Sequence, residues 1–470
     1  MTHLIPSPYI PNPWKATLIA IPSNPRIFLS AGEASGDAYG AEFIAALRRR
    51  LPQATFTGLG GSHMAQQGQT QTVRAEDVAV MGVTEILRHI PHIYASYRRL
   101  VRSLRRNRPD IAILIDFPDV NFRLAKHLHR AGVPVVWLVS PQLWAWKRSR
   151  LRWVQERVDK MLVIFPFEEP FYRSRGVDAE FIGHPLLHPR AQPSLATYSP
   201  QQNHIEYAEK YGLDPAKTWI ALLPGSRWKE IRANLPALHE LAMSDLIATA
   251  ANETTFDGHR ISTPRDPSAH TRYEFLLPVA STIKSTDLEA FINQLNREHL
   301  KYFGPEASSI RLTLVTGPDA AREVLTHARA SVVASGTATV LAAIVGNPFV
   351  VVYRVSPLTF ALARRLVRYP EEFPNMADAS GNQPVAMPNL IAARRIVPEL
   401  LQSRFTAANV ASELAPLLME GPEREAQIAA LANLRQQLEA PDDPTQQPLD
   451  RAAEIVLDLL ETQPLPGSQA

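Results

Sequence analysis

The stretch Trp219-Ile-Ala-Leu-Leu-Pro-Gly-Ser-Arg227 decides how this chain is read. Ile220 to Leu223 form an unbroken apolar run, as in a strand covered on both faces of a parallel sheet. Pro224-Gly225 breaks the run, and helix-compatible residues follow from Trp228 to Ile231. Gly225 and Ser226 would then present backbone N–H groups at a helix start. Arg227 adds a fixed planar cation, and the set suits a phosphate. An ordinary strand-to-helix turn with a surface arginine has the same pattern, so a second signal is needed. Ser331-Val-Val-Ala-Ser-Gly-Thr-Ala-Thr339 supplies it: a strand, a small-residue turn at Ser335, Gly336 and Thr337, then a helix. Two such turns in one half-chain predict a nucleotide diphosphate across the carboxyl ends of a parallel sheet.

The first half has the same rhythm. Arg26–Ala31 is a predicted strand, Gly32-Glu-Ala-Ser-Gly-Asp37 a turn, 38–50 a helix and 54–58 a second strand. The turn is glycine-rich but is not GxGxxG, and Glu33 and Asp37 would repel a bare pyrophosphate. Asp110-Ile-Ala-Ile-Leu-Ile-Asp116 is a buried strand that ends in a carboxylate, where open α/β sheets put their sites. Asp116 there suits a general base that takes a proton from an attacking hydroxyl. The alternative is helix capping, for which Asp119 is the better placed. Strand 133–139 runs into the aromatic and basic loop Ser140-Pro-Gln-Leu-Trp-Ala-Trp-Lys147. Gly183-His-Pro185 marks a rigid domain exit more than an acid–base site.

The totals set limits. A chain of 470 residues holds two or three domains. There is no cysteine, so no disulfide framework and no thiolate site. No His, Asp or Glu set has ligand spacing such as HExxH; no metal and no cofactor is expected. No apolar run approaches the roughly 20 residues that span a bilayer. The net charge of +3 hides an asymmetry: residues 1–190 carry 25 Lys+Arg and 15 Asp+Glu, the rest 24 and 31. A basic first half suggests an anionic partner. One stretch concentrates that charge. Ile86, Leu87, Ile90, Ile93 and Tyr94 lead into Arg98, Arg99, Arg102, Arg105, Arg106 and Arg108. Both a core helix with a solvated arginine face and a membrane-surface helix fit it.

The predicted domains are a proline-rich leader over 1–25, an N-terminal Rossmann-like domain over 26–185 and a linker over 186–207. A C-terminal Rossmann-like domain follows over 208–400, with a surface insertion at 251–272, and then helices and tail over 401–470. Residues 389–402 are predicted helical, as is 228–250. The predicted fold is α/β: two doubly wound domains facing a central cleft, with C-terminal helices.

Several motifs occur in one order: Gly32-Glu-Ala-Ser-Gly-Asp37, Met81-Gly-Val, Ile115-Asp-Phe-Pro-Asp-Val-Asn121, Ser140-Pro-Gln-Leu-Trp-Ala-Trp146, Phe181-Ile-Gly-His184, Leu223-Pro-Gly-Ser-Arg227, Ala334-Ser-Gly-Thr-Ala-Thr339 and Pro398-Glu-Leu-Leu-Gln402. Over roughly 26–440 the chain resembles the lipid-A-disaccharide synthases, inverting glycosyltransferases of the GT-B fold. The resemblance implies attack by the 6-hydroxyl of 2,3-diacylglucosamine 1-phosphate on UDP-2,3-diacylglucosamine. A β-1,6-linked disaccharide 1-phosphate forms and UDP leaves, without a metal. Asp116 falls on the family's proposed base and Arg227 on the position that stabilises the departing diphosphate. Gly225, Ser226, Arg227, Ser335, Gly336, Thr337, Asn389 and Gln402 fall on the donor side. Gly32, Glu33, Ser35, Gly36, Asp37, Asp119, Trp144 and Trp146 fall on the acceptor side. The resemblance also implies peripheral association with the cytoplasmic face of the inner membrane, which moves the stretch at 83–108 towards a membrane-facing role, and a homodimer is compatible with it.

Two positions depart from the family pattern. Leu341 stands where a glutamate suited to ribose hydroxyls is usual, and Ala393 stands for a glycine in Asn389-Leu-Ile-Ala-Ala-Arg394. Ala393 suggests a local backbone with no need of positive φ. The competing readings are another GT-B UDP-sugar enzyme, such as a glycolipid glycosyltransferase or a UDP-sugar epimerase, and a non-catalytic nucleotide or nucleic-acid binder.

Overall fold

The computed structural model describes residues 22–77, 83–187, 200–256, 259–262, 272–303, 312–367, 369–370, 372–378, 381–441, 443 and 445–461. Nearly all of the proline-rich leader lies outside the described residues, as do Met81 and Gly82 of one motif. The chain divides into two compact units. Unit 1 takes the described residues within Met1–His188, Val367–Pro370 and Leu438–Ala470; unit 2 takes those within Pro189–Leu366 and Glu371–Gln437.

Unit 1 is a seven-stranded parallel sheet in the order β3-β2-β1-β4-β5-β6-β7. The strands are β1 (Arg26–Ala31), β2 (Thr55–Gly60), β3 (Gln69–Arg74), β4 (Ile111–Ile115), β5 (Val135–Leu138), β6 (Lys160–Val163) and β7 (Ala179–Phe181). β4 and β5 are buried at every position, as their unalternated apolar runs require. Five helices alternate with the early and middle strands: α1 (Ala34–Arg50), α2 (Ser62–Gln66), α3 (Val83–Arg106), α4 (Pro118–Arg130) and α5 (Leu151–Arg157); α6 (Glu168–Arg173) precedes β7. Strand order departs in both directions from β1, so the switch point lies between β1 and β4, and Ala31 pairs with Ile115 at its carboxyl edge.

Unit 2 repeats the plan with six parallel strands in the order β12-β11-β8-β13-β14-β15. These are β8 (Thr218–Leu223), β11 (Tyr273–Pro278), β12 (Leu312–Val315), β13 (Ala330–Ala334), β14 (Phe349–Tyr353) and β15 (Glu399–Leu401). Here the switch point lies between β8 and β13, and Leu223 pairs with Val333. The helices are α7 (Pro200–Tyr211), α8 (Trp228–Ala242), α9 (Leu246–Asn252), α10 (Ser285–Phe303), α11 (Ala320–His327), α12 (Thr337–Val345), α13 (Pro357–Leu366), α14 (Met387–Ile391), α15 (Ala407–Leu418) and α16 (Pro422–Gln437).

Three sequence expectations are corrected. Residues 228–250 are two helices, α8 and α9, rather than one. The insertion at 251–272 contains an antiparallel hairpin, β9 (Glu253–Phe256) with β10 (His259–Ser262). Residues 389–402 are not one helix: α14 ends at Ile391 and β15 completes the sheet edge, because buried Glu399 and Asn389 fold the chain back between them. The block after 401 is split. α15 and α16 stay in unit 2, whereas α17 (Pro448–Glu461) joins unit 1. There Leu449, Ala452, Ala453, Val456 and Leu460 enter the core beside Phe43, Ile44 and Leu47. Asp450 and Glu454 meet Arg49 and Arg50 at 2.6 to 2.8 Å. Each fully buried aliphatic side chain contributes about 1.5–3 kcal/mol, so apolar burial outweighs these partly exposed ion pairs.

Candidate active site

The carboxyl edge of the unit 1 sheet is where strained backbone collects. Asp116 (φ 42°) and Phe117 (φ 49°) follow β4 in the left-handed region, and Val139 (φ 62°) follows β5. Such values are uncommon for non-glycine residues and uncompensated for a β-branched one, so the surrounding structure must hold them. Asn121 does so at β4. Its Nδ2 donates to the carbonyl oxygens of Asp116 (2.7 Å), Ile115 (3.2 Å) and Ser30 (3.3 Å), and its Oδ1 accepts from Ser30 Oγ at 2.6 Å. Asn121 and Ser30 are fully buried. The Asp116 carboxylate raises the pKa of buried Tyr39, after burial itself and Glu42, so the two groups share one neighbourhood. Gly32 is required beside them: a Cβ there would lie 2.4 Å from the Phe117 ring.

The other acceptor-side residues separate into two groups. Glu33 and Ser35 sit at the start of α1, half-buried and exposed, and Gly36 is buried against Ala31 and Ile115. Asp37 is corrected: its carboxylate is buried and accepts from the N–H groups of Gly61 (2.7 Å), His63 (3.0 Å) and Met64 (3.1 Å), with His63 Nδ1 at 2.9 Å. It clamps the start of α2. Asp119 is corrected as a cap: α4 has Phe117 at its N-cap with no side-chain bond, and the exposed Asp119 carboxylate pairs with Arg150 at 2.8 Å. Trp144 is corrected as a contact residue, being 1% exposed, whereas Trp146 is 42% exposed under Lys147.

Trp144 reveals a residue that the sequence reading missed. Its Nε1 and Ser140 Oγ both donate to Oε1 of the buried Glu168, at 3.1 and 2.6 Å, and Phe165 N–H donates to Oε2. Burial outweighs these three donors and pushes the Glu168 carboxyl up to about 7. Glu168 thereby ties the 140–147 loop to α6. His184 is buried, accepts from Leu186 N–H, and is pushed by burial down to about 3. It stays neutral and structural, as the rigid-turn reading has it.

At the unit 2 edge the two turns sit on adjacent strands. Gly225 holds φ 128°, and a Cβ there would strike Glu230 at 2.6 Å. Oε2 of Glu230 accepts from the N–H groups of Ser226 (3.0 Å) and Arg227 (3.3 Å). The amides expected to meet a phosphate are therefore held by an internal carboxylate, and the exposed Arg227 side chain is the cation at this turn. Tyr353, at the end of β14, is influenced by both Glu230 and Arg227. Across the switch point, Gly336 and Thr337 are exposed and Ser335 half-buried at the start of α12. Leu341 is half-buried on that helix.

Asn389 is corrected. Its Nδ2 donates to Val397 O and Glu399 Oε1, and its Oδ1 accepts from Ile396 N–H and Val397 N–H. That uses its capacity within the protein. Gln402 is clamped twice on the Val355 main chain. Ala393 also overturns its expectation, since it does adopt positive φ, at 50°. The side chains of Ile86, Leu87 and Ile90 lie outside the described residues; Ile93 is half-buried and Tyr94 is 58% exposed. Among the described residues no group of three or more His, Cys, Asp or Glu could hold a metal ion, and no helix is long and apolar enough to cross a membrane.

Comparison with known proteins bears on this pair of switch-point sites. In fold, the chain is similar to the glycotransferase of kitacinnamycin (TM-score 0.54, 12% identity, 94% of this chain and 100% of that one). It is likewise similar to a putative UDP-N-acetylglucosamine 2-epimerase from Listeria monocytogenes (TM-score 0.52, 11% identity, 94% and 98%). At these identities the likeness shows the GT-B fold alone. In sequence, the chain is 49% identical to the lipid-A-disaccharide synthase of Acidobacterium capsulatum over 419 residues, covering 89% of this chain and 93% of that one. It is 43% identical to that of Koribacter versatilis over 437 residues, covering 93% and 99%. The family model for lipid-A-disaccharide synthetase matches residues 27–255 and 279–448. The gap in that match, 256–278, takes in most of the 251–272 insertion, and on these grounds the chain belongs to the lipid-A-disaccharide synthetase family.

Proposed function

We propose that the protein carries out its family's glycosyl transfer with Asp116 as general base and Arg227 as the cation at the leaving group. The donor is UDP-2,3-diacylglucosamine and the acceptor 2,3-diacylglucosamine 1-phosphate. The acceptor's 6-hydroxyl forms a bond to the donor's anomeric carbon and gives its proton to Asp116. The bond from that carbon to the diphosphate oxygen breaks, UDP keeps the electron pair, and the anomeric centre inverts. Arg227 meets the negative charge that develops, as a preorganised donor. Gly225, Ser226, Ser335, Gly336 and Thr337 are the donor-side turns. Glu33, Ser35 and Trp146 serve the acceptor side. With acylated substrates on both sides, the protein works as a peripheral protein on the cytoplasmic face of the inner membrane.

One observation carries the reading: within a family match over most of the chain, Asp116 and Arg227 each stand at the carboxyl edge of a sheet beside its switch point. The test is UDP release measured with both diacylated substrates, with each omitted in turn. Release that needs both, with the disaccharide 1-phosphate as product, supports it. Release without acceptor, or epimerised UDP-sugar as product, would overturn it in favour of a hydrolase or an epimerase.

A further inference from the structure

A groove of about 510 Å³ runs along α4 in unit 1. Tyr97 of α3 forms one wall, and Arg150, Trp153 and Arg157 form the other. The floor is aromatic and the rim is cationic. Five arginines and lysines line it (Arg123, Lys126, Arg130, Arg150 and Arg157) against one carboxylate, Asp119. Arg150 pairs with Asp119 and Arg157 with Glu156, which leaves Arg123, Lys126 and Arg130 to give the groove a net charge of about +3.

These cations are of two kinds. Arg150 is held by Asp119 and lies over the Phe122 and Trp153 rings; Arg157 lies over Trp153 and donates to Phe122 O. Arg123, Lys126 and Arg130 are exposed on successive turns of α4, with no ion pair among the described residues. His127 in the same groove has its pKa lowered by burial and then by Arg105, Arg130 and Lys126. Guanidinium groups lie over the Phe122 and Trp153 rings at 5.2 to 5.9 Å, so a stacking nucleobase would compete with them. A compact anion on an apolar body fits better.

The position of the groove narrows the choice. Its rim begins at Pro118 and Asp119, two and three residues after Asp116. Three consecutive Cα steps span at most about 11 Å. A sugar whose hydroxyl reaches Asp116 therefore lies near the groove's rim at Pro118 and Asp119. We propose that the groove binds the acceptor's 1-phosphate, a phosphomonoester, with Arg123 and Lys126 as direct partners and Arg150 as the prefixed one. This rests on the glycosyl transfer proposed above.

The test compares KM for diacylglucosamine 1-phosphate with KM for the same glycolipid lacking the phosphate, in detergent micelles. The comparison is made for the wild type and for R123Q/K126Q/R130Q, three exposed substitutions whose folding is checked by thermal melt. Charge-assisted bonds of this kind give the wild type at least about a tenfold preference for the phosphorylated acceptor. The variant should lose most of that preference through KM. An unchanged preference would overturn the proposal. A variant that keeps the preference but no longer co-sediments with phosphatidylglycerol vesicles would overturn it too, and give the groove to bilayer headgroups. Wild-type silence with both acceptors would instead overturn the reaction, and the subsite with it.

Discussion

Asp116 and Phe117, at φ 42° and 49°, show what a single position costs and gains. Two adjacent left-handed residues cost of order 1–3 kcal/mol each, and the buried Asn121 amide holds them. The gain is a carboxylate fixed at the end of a rigid strand. Asp116→Asn keeps shape and should lower kcat by roughly 10²–10⁴-fold with little change in donor binding; near-normal turnover would remove Asp116 from the reaction. Arg227→Ala should lower activity by roughly 10²–10³-fold, while EDTA leaves the wild type unaffected. Strong inhibition by EDTA would replace the arginine with a metal as the leaving-group partner. Ala393, at φ 50°, is the converse case: strain with no chemistry attached. Ala393→Gly should stabilise unit 2 by roughly 0.5–1 kcal/mol, the relief of the left-handed penalty less the added freedom of the unfolded chain. A lower melting temperature in that variant would mean the methyl group is needed for packing.

Among the elements, those with a long unambiguous period were legible in the sequence. β8, β13 and β4 announce themselves by unbroken apolar runs, and the turns after them carry Asp116 and Arg227 as expected. β15 was not legible, because three residues are too few to show a period and Glu399, which accepts from Val385 and Ala386 N–H, is a charged residue at a buried position of an edge strand. The amphipathic pattern of α17 says that one face is buried but not against what; its partner α1 is some four hundred residues earlier, with 400 positions between Arg50 and Asp450. Asp37, Trp144 and Asn389 carry internal bonds that no motif announces, for a related reason. A motif tells which residues recur together, and only burial and bonding tell which hold the backbone. The 140–147 loop gives a measurable instance through Glu168. Its folded pKa of about 7 lies above the unfolded value of 4.5. The folded state binds the proton more tightly, so this group's contribution is fully present below about pH 4.5 and is lost as pH rises through about 7. Glu168→Gln should therefore match the wild type near pH 5 and exceed it near pH 8, by on the order of 3 kcal/mol. Denaturant midpoints at the two pH values decide it; a pH-independent difference would mean that the three donors keep the carboxylate ionised.

At the scale of the whole molecule the question is how a protein with no membrane-spanning helix among its described residues reaches acylated substrates. The excess of 25 cationic over 15 acidic residues in positions 1–190 points to the first half as the side that meets anionic lipid. α3 gives that charge a location. Ser96, Leu100 and Leu104 form its buried stripe, which accounts for the core-packing reading, while Arg98, Arg99, Arg102, Arg105 and Arg106 are exposed. The buried stripe fits the core-packing reading, and the exposed arginines leave the membrane-surface reading to be tested. Tyr94 is exposed just ahead of the arginines, with Arg98 5.9 Å from its ring centroid, and Ile93 is half-buried beside it. An exposed apolar residue in mid-helix followed by cations worth about 1 kcal/mol each near an anionic surface would give reversible binding rather than insertion. The protein should co-sediment with phosphatidylglycerol vesicles at low salt and be released at high salt, because surface charges are then screened. Ile93→Ser with Tyr94→Ser should weaken vesicle binding several-fold; Ile93 is half-buried at the spacing of the 96, 100, 104 stripe and should lower the melting temperature, whereas the exposed Tyr94→Ser alone should leave it within a degree or two. If the double variant binds vesicles as the wild type does, the apolar part of the docking surface lies elsewhere and α3 contributes charge alone.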